Sequence, residues 1–198
     1  DAKRFNLNKA MLQPIVTKFR LISGISFTKS DIDCEVKSGK KCLLLDTTRM
    51  RKNSTSLINY LKTYPEQQLM ANKTFAKRNP WHKIDDGKIP DAFMSYMQHS
   101  GPQLTLNFAG ANCTNSVHRI YFNQVSSCDQ KMIAISFLST LTQISAEIEG
   151  RSYGSGVLKQ EPSEAKKIKI CILKDLDEKT IDKLYSHVDN LIRNGNID

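Results

Sequence analysis

The sequence predicts an α+β fold, small mixed or antiparallel sheets braced by helices. Three observations carry this. Short apolar runs bounded by Gly, Pro and Asn read as strands, with residues 104–108 alternating at period two. Other apolar residues recur at helical spacing: Leu57, Ile58, Leu61 and Tyr64, then Ile133, Phe137, Leu141, Ile144 and Ile148. The length, 198 residues, suffices to bury one sizeable core. The expectation is one domain, or two packed lobes: a mixed lobe to about residue 125 and a helical one after it.

In chain order, residues 1–36 read as extended segments and turns, broken by Pro14 and Gly24. Residues 42–45 read as a buried strand whose end delivers Thr47, Thr48, Arg49, Arg51 and Lys52 to an edge. Ser54-Thr55-Ser56 supplies an N-cap for a helix over 56–64, which Pro65 interrupts or restarts at Glu66. Pro80 ends this helical region, because proline disfavours helical geometry in the residue before it. Asp85-Asp86-Gly87-Lys88 is a turn, and strands fill most of 92–120. Asp129 then caps a helix over 130–149, expected to be core along its apolar stripe, with Gly150 as its stop. A helical turn at 163–165, a strand-like run over 168–173 and a packing helix over 177–193 complete the chain.

The net charge is +9, and its location is informative. Residues 37–83 hold eleven Lys and Arg against Asp46 and Glu66, so the remainder is formally neutral. A cationic excess so confined suits a surface facing phosphates; a solvated basic face is the plainer alternative. The five cysteines form no Cys-x-x-Cys pair and read as reduced, buried or half-buried thiols, with neither a metal site nor a disulfide framework expected. The chain starts at Asp1 with no signal-peptide pattern and has no apolar run long enough to cross a bilayer, as expected of a piece of a longer soluble protein.

Residues 150–163 concentrate the unusual chemistry: Gly150, Gly154 and Gly156 lie beside Arg151, Tyr153 and Lys159, ahead of a Glu161-Pro162-Ser163 helix start. Glycines at this density permit close approach to another surface, and the basic and aromatic groups suit a polyanion. The run Arg151-x-Tyr153-Gly154-x-Gly156-Val157-Leu158-Lys159-x-Glu161-Pro162-Ser163-Glu164 resembles a signature of the target-recognition domain of gamma-class adenine-N6 DNA methyltransferases of bacterial restriction–modification systems. That family usually has a third glycine where this chain has Ser155, a residue expected to tolerate positive φ poorly. Two further blocks fall in the family's order: Cys113-Thr114-Asn115-Ser116-Val117-His118-Arg119-Ile120-Tyr121-Phe122, and Arg78-Asn79-Pro80-Trp81-His82-Lys83-Ile84 with Pro90-Asp91-Ala92-Phe93.

The resemblance implies duplex DNA as partner, together with a catalytic domain of the same polypeptide, in the bacterial cytoplasm. It implies phosphate contacts from the basic region, including Arg49, Arg51, Lys52 and Lys77, and base or backbone contacts from Arg78, Trp81, Lys83, Asn115, His118, Arg119, Arg151, Tyr153 and Lys159. Each has a structural alternative: Trp81 as a core anchor, Asn115 as a turn amide, His118 as a satisfied imidazole. The family's catalytic part needs a glycine-rich turn for S-adenosylmethionine and an Asn/Asp-Pro-Pro-Tyr/Phe tetrad. No two prolines are adjacent here, so this chain alone is expected to bind no cofactor and transfer no methyl group. Two other classes are weighed: a magnesium-dependent nuclease fragment using Asp91 and Glu164, and a protein-interaction module.

Overall fold

In the computed structural model the described residues are 1–49, 54–83, 87–99, 101–173 and 175–195. In chain order they form β1 (Leu12–Val16), β2 (Ser26–Phe27), α1 (Lys29–Lys37), β3 (Leu43–Leu45), α2 (Thr55–Leu61), α3 (Glu66–Ala71), α4 (Lys73–Ala76), β4 (Ala92–Ser95), β5 (Met97–Gln98), β6 (Leu104–Asn107), β7 (Asn112–Cys113), β8 (Val117–Ile120), α5 (Ser127–Ser136), α6 (Thr140–Glu149), β9 (Arg151–Tyr153), β10 (Val157–Lys159), α7 (Pro162–Ala165) and α8 (Glu178–Arg193). The fold is α+β, as the sequence predicts. Two compact units divide the chain: residues 1–14 with 43–88, and residues 15–42 with 89–198; residue 125 falls inside the second.

In the first unit the leading half of β1 pairs antiparallel with β3, Leu12 opposite Leu45 and Pro14 opposite Leu43. The expected buried strand over 42–45 thus forms over 43–45, but Leu43 is exposed and Leu44 and Leu45 are only half-buried. Ser54 Oγ accepts from Leu57 N and opens α2, which buries Leu57 completely and ends at Leu61. Pro65 starts α3. Asn72 Oδ1 accepts from Thr74 N and Phe75 N, opening α4 with a break that helical spacing alone does not reveal. Tyr64, Phe75 and Trp81 then close on one another with ring centroids 5.5 Å apart. This unit's residues include twelve Lys and Arg against five Asp and Glu, so it carries +7 of the net charge.

The second unit is built on a four-stranded sheet ordered β2-β6-β4-β8, with β4 antiparallel to β6 and β8, and β2 parallel to β6. Both faces are covered, so β4 is buried throughout. Ala92 and Met94 join Leu104, Leu106, Ala134, Phe137, Ala146 and Tyr185 on one side, while Phe93 joins Phe27, Ile32 and Val117 on the other. Period two at 104–107 therefore separates two buried layers rather than core from solvent.

Helix α1 forms where the sequence suggests extended structure and turns. Thr28 and Asp31 form a capping box, Thr28 N donating to Asp31 Oδ2 at 2.7 Å, but only Ile32 on the helix is buried, so no apolar stripe announces it. The expected helix over 130–149 is two helices. Ser126 Oγ accepts from Asp129 N to cap α5, placing Asp129 inside the first turn, and Ser139 Oγ accepts from Thr142 N to start α6 afresh. The change of direction turns the expected core stripe outward: Leu141, Ile144 and Ile148 are 56%, 51% and 75% exposed, while the small residues Thr142 and Ala146 face inward. No strand forms over 168–173; Ile168 is buried and Lys169 N donates to Ser145 Oγ. Cys42 is buried, but Cys34 and Cys171 are exposed, and none of the five cysteines is in a disulfide.

Helix α8, capped by Asp177, brings a charged residue into its buried face. Asp189 accepts from Ser26 N (2.9 Å), Ser26 Oγ (2.6 Å) and Arg193 Nε (2.8 Å). Arg193 also donates to Asp31 Oδ1 and to the Ser26 carbonyl, and Tyr185 OH donates to the Ile25 carbonyl. Gly24 makes room for this, since a Cβ there would collide with Asp189 Oδ1. The network welds α8 to β2 and α1. Burial raises the Asp31 pKa, but hydrogen bonds from Arg193 and Thr28 outweigh it and hold the carboxyl below its usual value. Its contribution to stability is therefore present above the unfolded pKa of about 4 and lost as pH falls through the folded one. Asp189→Ala leaves Ser26 N, Ser26 Oγ and Arg193 Nε without this acceptor, and should cost about 3 kcal/mol in urea unfolding; a loss under about 1 kcal/mol would contradict the assigned role. Asp31→Asn should flatten the acid limb of the stability profile, measured as the urea midpoint against pH.

Candidate nucleic-acid interface

The sequence stretch at 150–163 folds as a hairpin. Strands β9 and β10 pair antiparallel, Arg151 opposite Lys159 and Tyr153 opposite Val157, around a 3-10 turn at Gly154–Gly156. On its other side β10 pairs with β5, which leaves β9 as an exposed edge. Ser155 adopts the left-handed region (φ 67°, ψ 27°) and Gly156 follows it (φ 73°). The serine thus accommodates the conformation it is expected to resist. A Cβ at Gly154 or Gly156 would meet nothing within 4 Å, so the tip stands in open space. Gly150 differs. Its φ of −79° suits any residue, but a Cβ would sit 2.7 Å from Leu158 Cδ1 and 2.9 Å from the Ala146 carbonyl oxygen. It is there because β10 closes directly onto the end of α6.

The hairpin base is fastened at Gln160, which is fully buried. Its N–H donates to the Tyr96 carbonyl (3.1 Å), its carbonyl accepts from His118 Nε2 (2.7 Å), and its side-chain amide donates to the Ala146 carbonyl (3.2 Å). The His118 ring meets Tyr96 edge-on at 5.0 Å. Lys159 Nζ lies over the Tyr96 and Tyr153 rings, 5.2 and 5.5 Å from their centroids, and pairs with Glu161 at 2.7 Å. The hydrogen bond from Lys159 pulls the Glu161 carboxyl below its usual range, while the lysine pKa rises. Glu161 and Glu164 form the capping box of α7. Glu164 also accepts from Arg151 Nε, a bond that raises the guanidinium pKa. This bond is made by Nε, and the Arg151 side chain is 63% exposed.

The other expected contact residues lie as follows. Arg51 and Lys52, like Asp85 and Asp86 of the expected turn, lie outside the described residues; Arg49 ends a 3-10 turn. In the first unit Lys77 and Lys83 are exposed and Arg78 is half-buried. Trp81 is held among Tyr64, Phe75 and His82, at the wall of a cavity of about 380 Å³ that Arg78 also lines. His82 Nδ1 lies 2.9 Å from Thr47 Oγ1, and burial lowers its pKa. In the second unit Asn115 is exposed at a turn whose flanking Thr114 and Ser116 hydroxyls both donate to the Thr17 carbonyl. Arg119 stands opposite Phe93 and lines an apolar cavity of about 280 Å³ with Met94, Ile120 and Phe137. The structure therefore gathers His118, Arg151, Tyr153 and Lys159 in and under one hairpin. The two carboxylates of the nuclease reading are engaged elsewhere, Asp91 accepting from Phe122 N and Glu164 serving the capping box.

The family model for the C-terminal domain of the Type II methyltransferase M.Eco57I matches residues 1–198. The chain belongs to that family. It is 27% identical over 189 residues to the Type II methyltransferase M.AccI of Acinetobacter calcoaceticus, covering 93% of this chain and 34% of that protein. It thus spans about a third of that relative's length. Its fold is similar to part of the type IIG restriction endonuclease BpuSI, with a TM-score of 0.63 at 13% identity over 94% of this chain and 22% of the other.

Within this M.Eco57I-type C-terminal domain, sequence reasoning missed the residues that position the hairpin: Tyr96, Gln160, Glu161 and Glu164. Glu161-Pro162-Ser163-Glu164 is legible as a helix start, but a helix start does not disclose that both its carboxylates reach back to β9 and β10. A polar pocket of about 240 Å³ beside the hairpin, lined by His99, Glu147 and Ser152, also escapes a sequence reading because its parts lie far apart along the chain. Gly150→Ala should destabilise the domain by about 1–3 kcal/mol through the clash with Leu158, whereas Gly154→Ala should cost under about 0.5 kcal/mol. Chemical denaturation of both variants checks this, and equal costs would contradict the assigned close approach.

Proposed function

We propose that this domain recognises a specific sequence in duplex DNA, as the C-terminal part of a gamma-class, adenine-N6-specific DNA methyltransferase of a restriction–modification system acting in the bacterial cytoplasm. The observation that carries the reading is Arg151. Glu164 holds it through Nε on an exposed edge hairpin, and its two terminal nitrogens have the spacing that accepts guanine O6 and N7. Tyr153 and the open tip at Gly154–Gly156 flank it. Membership of a methyltransferase C-terminal family supplies the setting.

Labour divides between the units. The first, at +7, supplies phosphate contacts that position the duplex without reading it, through exposed cations such as Lys77 and Lys83. The second supplies base reading from the hairpin and from the Asn115 turn. Lys159 and His118 act beneath the surface: one is committed to Glu161 and two rings, the other to the Gln160 carbonyl. S-adenosylmethionine and the reacting adenine belong to the remainder of the polypeptide, and this chain alone transfers no methyl group.

Titrating the chain against duplexes from a selected-site library tests the proposal. Arg151→Ala should weaken the selected site by about 1–3 kcal/mol while scrambled duplex binding stays unchanged. Lys77→Ala and Lys83→Ala should weaken all duplexes alike and lower the salt slope by about 0.9 for each phosphate left without its lysine. Equal losses on both duplexes for Arg151→Ala would refute base reading, and salt-independent failure to bind any DNA would favour a protein-interaction module.

A further inference from the structure

The outer face of α6 is built the wrong way round for a helix that faces water. Its large aliphatic residues, Leu141, Ile144 and Ile148, follow one another at spacings of three and four, so they share one side, and all three are more than half exposed. The inward side holds the small residues Thr142 and Ala146. Solvation alone favours the reverse arrangement. The helix contains no Lys or Arg; its charged residues are Glu147 and Glu149. An exposed aliphatic stripe on a helix without a cation has nothing to offer a phosphate backbone and suits an apolar protein surface. At the start of the same helix its capping residue, Ser139, lines an apolar groove of about 420 Å³ together with Met132, Ile135, Leu138, Leu173 and Val188. Cys171, exposed, stands on its wall.

We infer that the α6 face and this groove are the seat of the methyltransferase region of the same polypeptide. The inference rests on the reading of the chain as the C-terminal part of such an enzyme. In M.AccI about two thirds of the chain lies outside the part that this domain matches, so a large covalently linked neighbour is the expected occupant. Size points the same way. Three side chains and one groove fall short of the roughly 20–30 residues a side that a free-standing dimer needs, but a tethered neighbour meets them at roughly millimolar effective concentration. Seated there, the methyltransferase region rests on the helix whose last turn carries Ala146 and runs into Gly150 at the hairpin base. The face therefore fixes the distance between base reading and the reacting adenine.

The test follows the iodoacetamide alkylation rate of Cys171 in the intact parent polypeptide, resolved by peptide mass spectrometry, with the urea-unfolded protein as the upper limit. Docking predicts alkylation at least tenfold slower than in the Ile144→Asp/Ile148→Asp double variant. Both positions are exposed, so the variant should keep its far-UV spectrum and melting temperature. The same double substitution in the 198-residue chain should leave DNA affinity within twofold of wild type, while the parent loses site-specific methylation. Equal Cys171 rates in wild-type and double-variant parent would overturn the inference. So would protection that fades on dilution, which identifies a second copy as the occupant. Protection of Cys171 in a parent whose C-terminal domain binds no DNA would leave the docking standing and sink the recognition reading instead.

Discussion

The seat of Gln160 is the constraint on which the hairpin over residues 151–159 depends. A short hairpin in water is marginal by itself, and one with a glycine-flanked, solvent-exposed tip is more so. Here its base is pinned by three hydrogen bonds from one buried residue, to Tyr96, His118 and Ala146. Those partners come from the link between β4 and β5, from the central sheet and from α6. A recognition group must be held to within a fraction of an ångström if it is to discriminate bases, and supporting residues locked by burial provide this. Gly150 completes the arrangement by letting β10 lie against the end of α6.

Electrostatics at the hairpin serve placement more than attraction. Arg151 and Lys159 are matched by Glu164 and Glu161, so the hairpin and its support are close to neutral although the chain is strongly basic. Most of the net cationic excess, +7 of +9, lies in the first unit. A base-reading group surrounded by surplus cations would be drawn to any phosphate. A neutralised and oriented guanidinium gains most where its remaining donors find a matching base edge. The same economy appears in α8, where a buried Asp189 and a half-buried Arg193 satisfy each other and several groups of β2 and α1.

Much of this was legible in the sequence, for identifiable reasons. Ser54, Pro65 and Asp177 mark helix starts by chemistry that acts within three residues, and the structure uses each of them. Residues 150–163 stood out because three glycines lie among basic and aromatic residues, but their pairing as a hairpin was not legible, since nothing in the run marks two strands. The family followed from three blocks in order, and the match over residues 1–198 bears it out. What failed was non-local. Five apolar residues at helical spacing over 133–148 look like one buried helix, but Ser139 restarts the chain and turns three of them outward. Residues 168–173 have the composition of a strand and no strand to pair with. Helix α1 is held by a capping box and the Asp31–Arg193 pair rather than by an apolar stripe. Neither the pairing of Glu164 with Arg151 nor the burial of Asp189 is encoded in local spacing.

The measurement that bears most directly on the account is residue-resolved. Backbone amide NMR shifts of the chain should be followed on titration first with a selected duplex and then with a scrambled one of equal length. A hairpin that reads bases from a rigid seat predicts large, sequence-dependent shifts at Arg151, Tyr153 and Ser155, little change at Gln160, and shifts at Lys77 and Lys83 that are alike for both duplexes. Hairpin amides that respond equally to both, or that do not respond while other segments do, would contradict it.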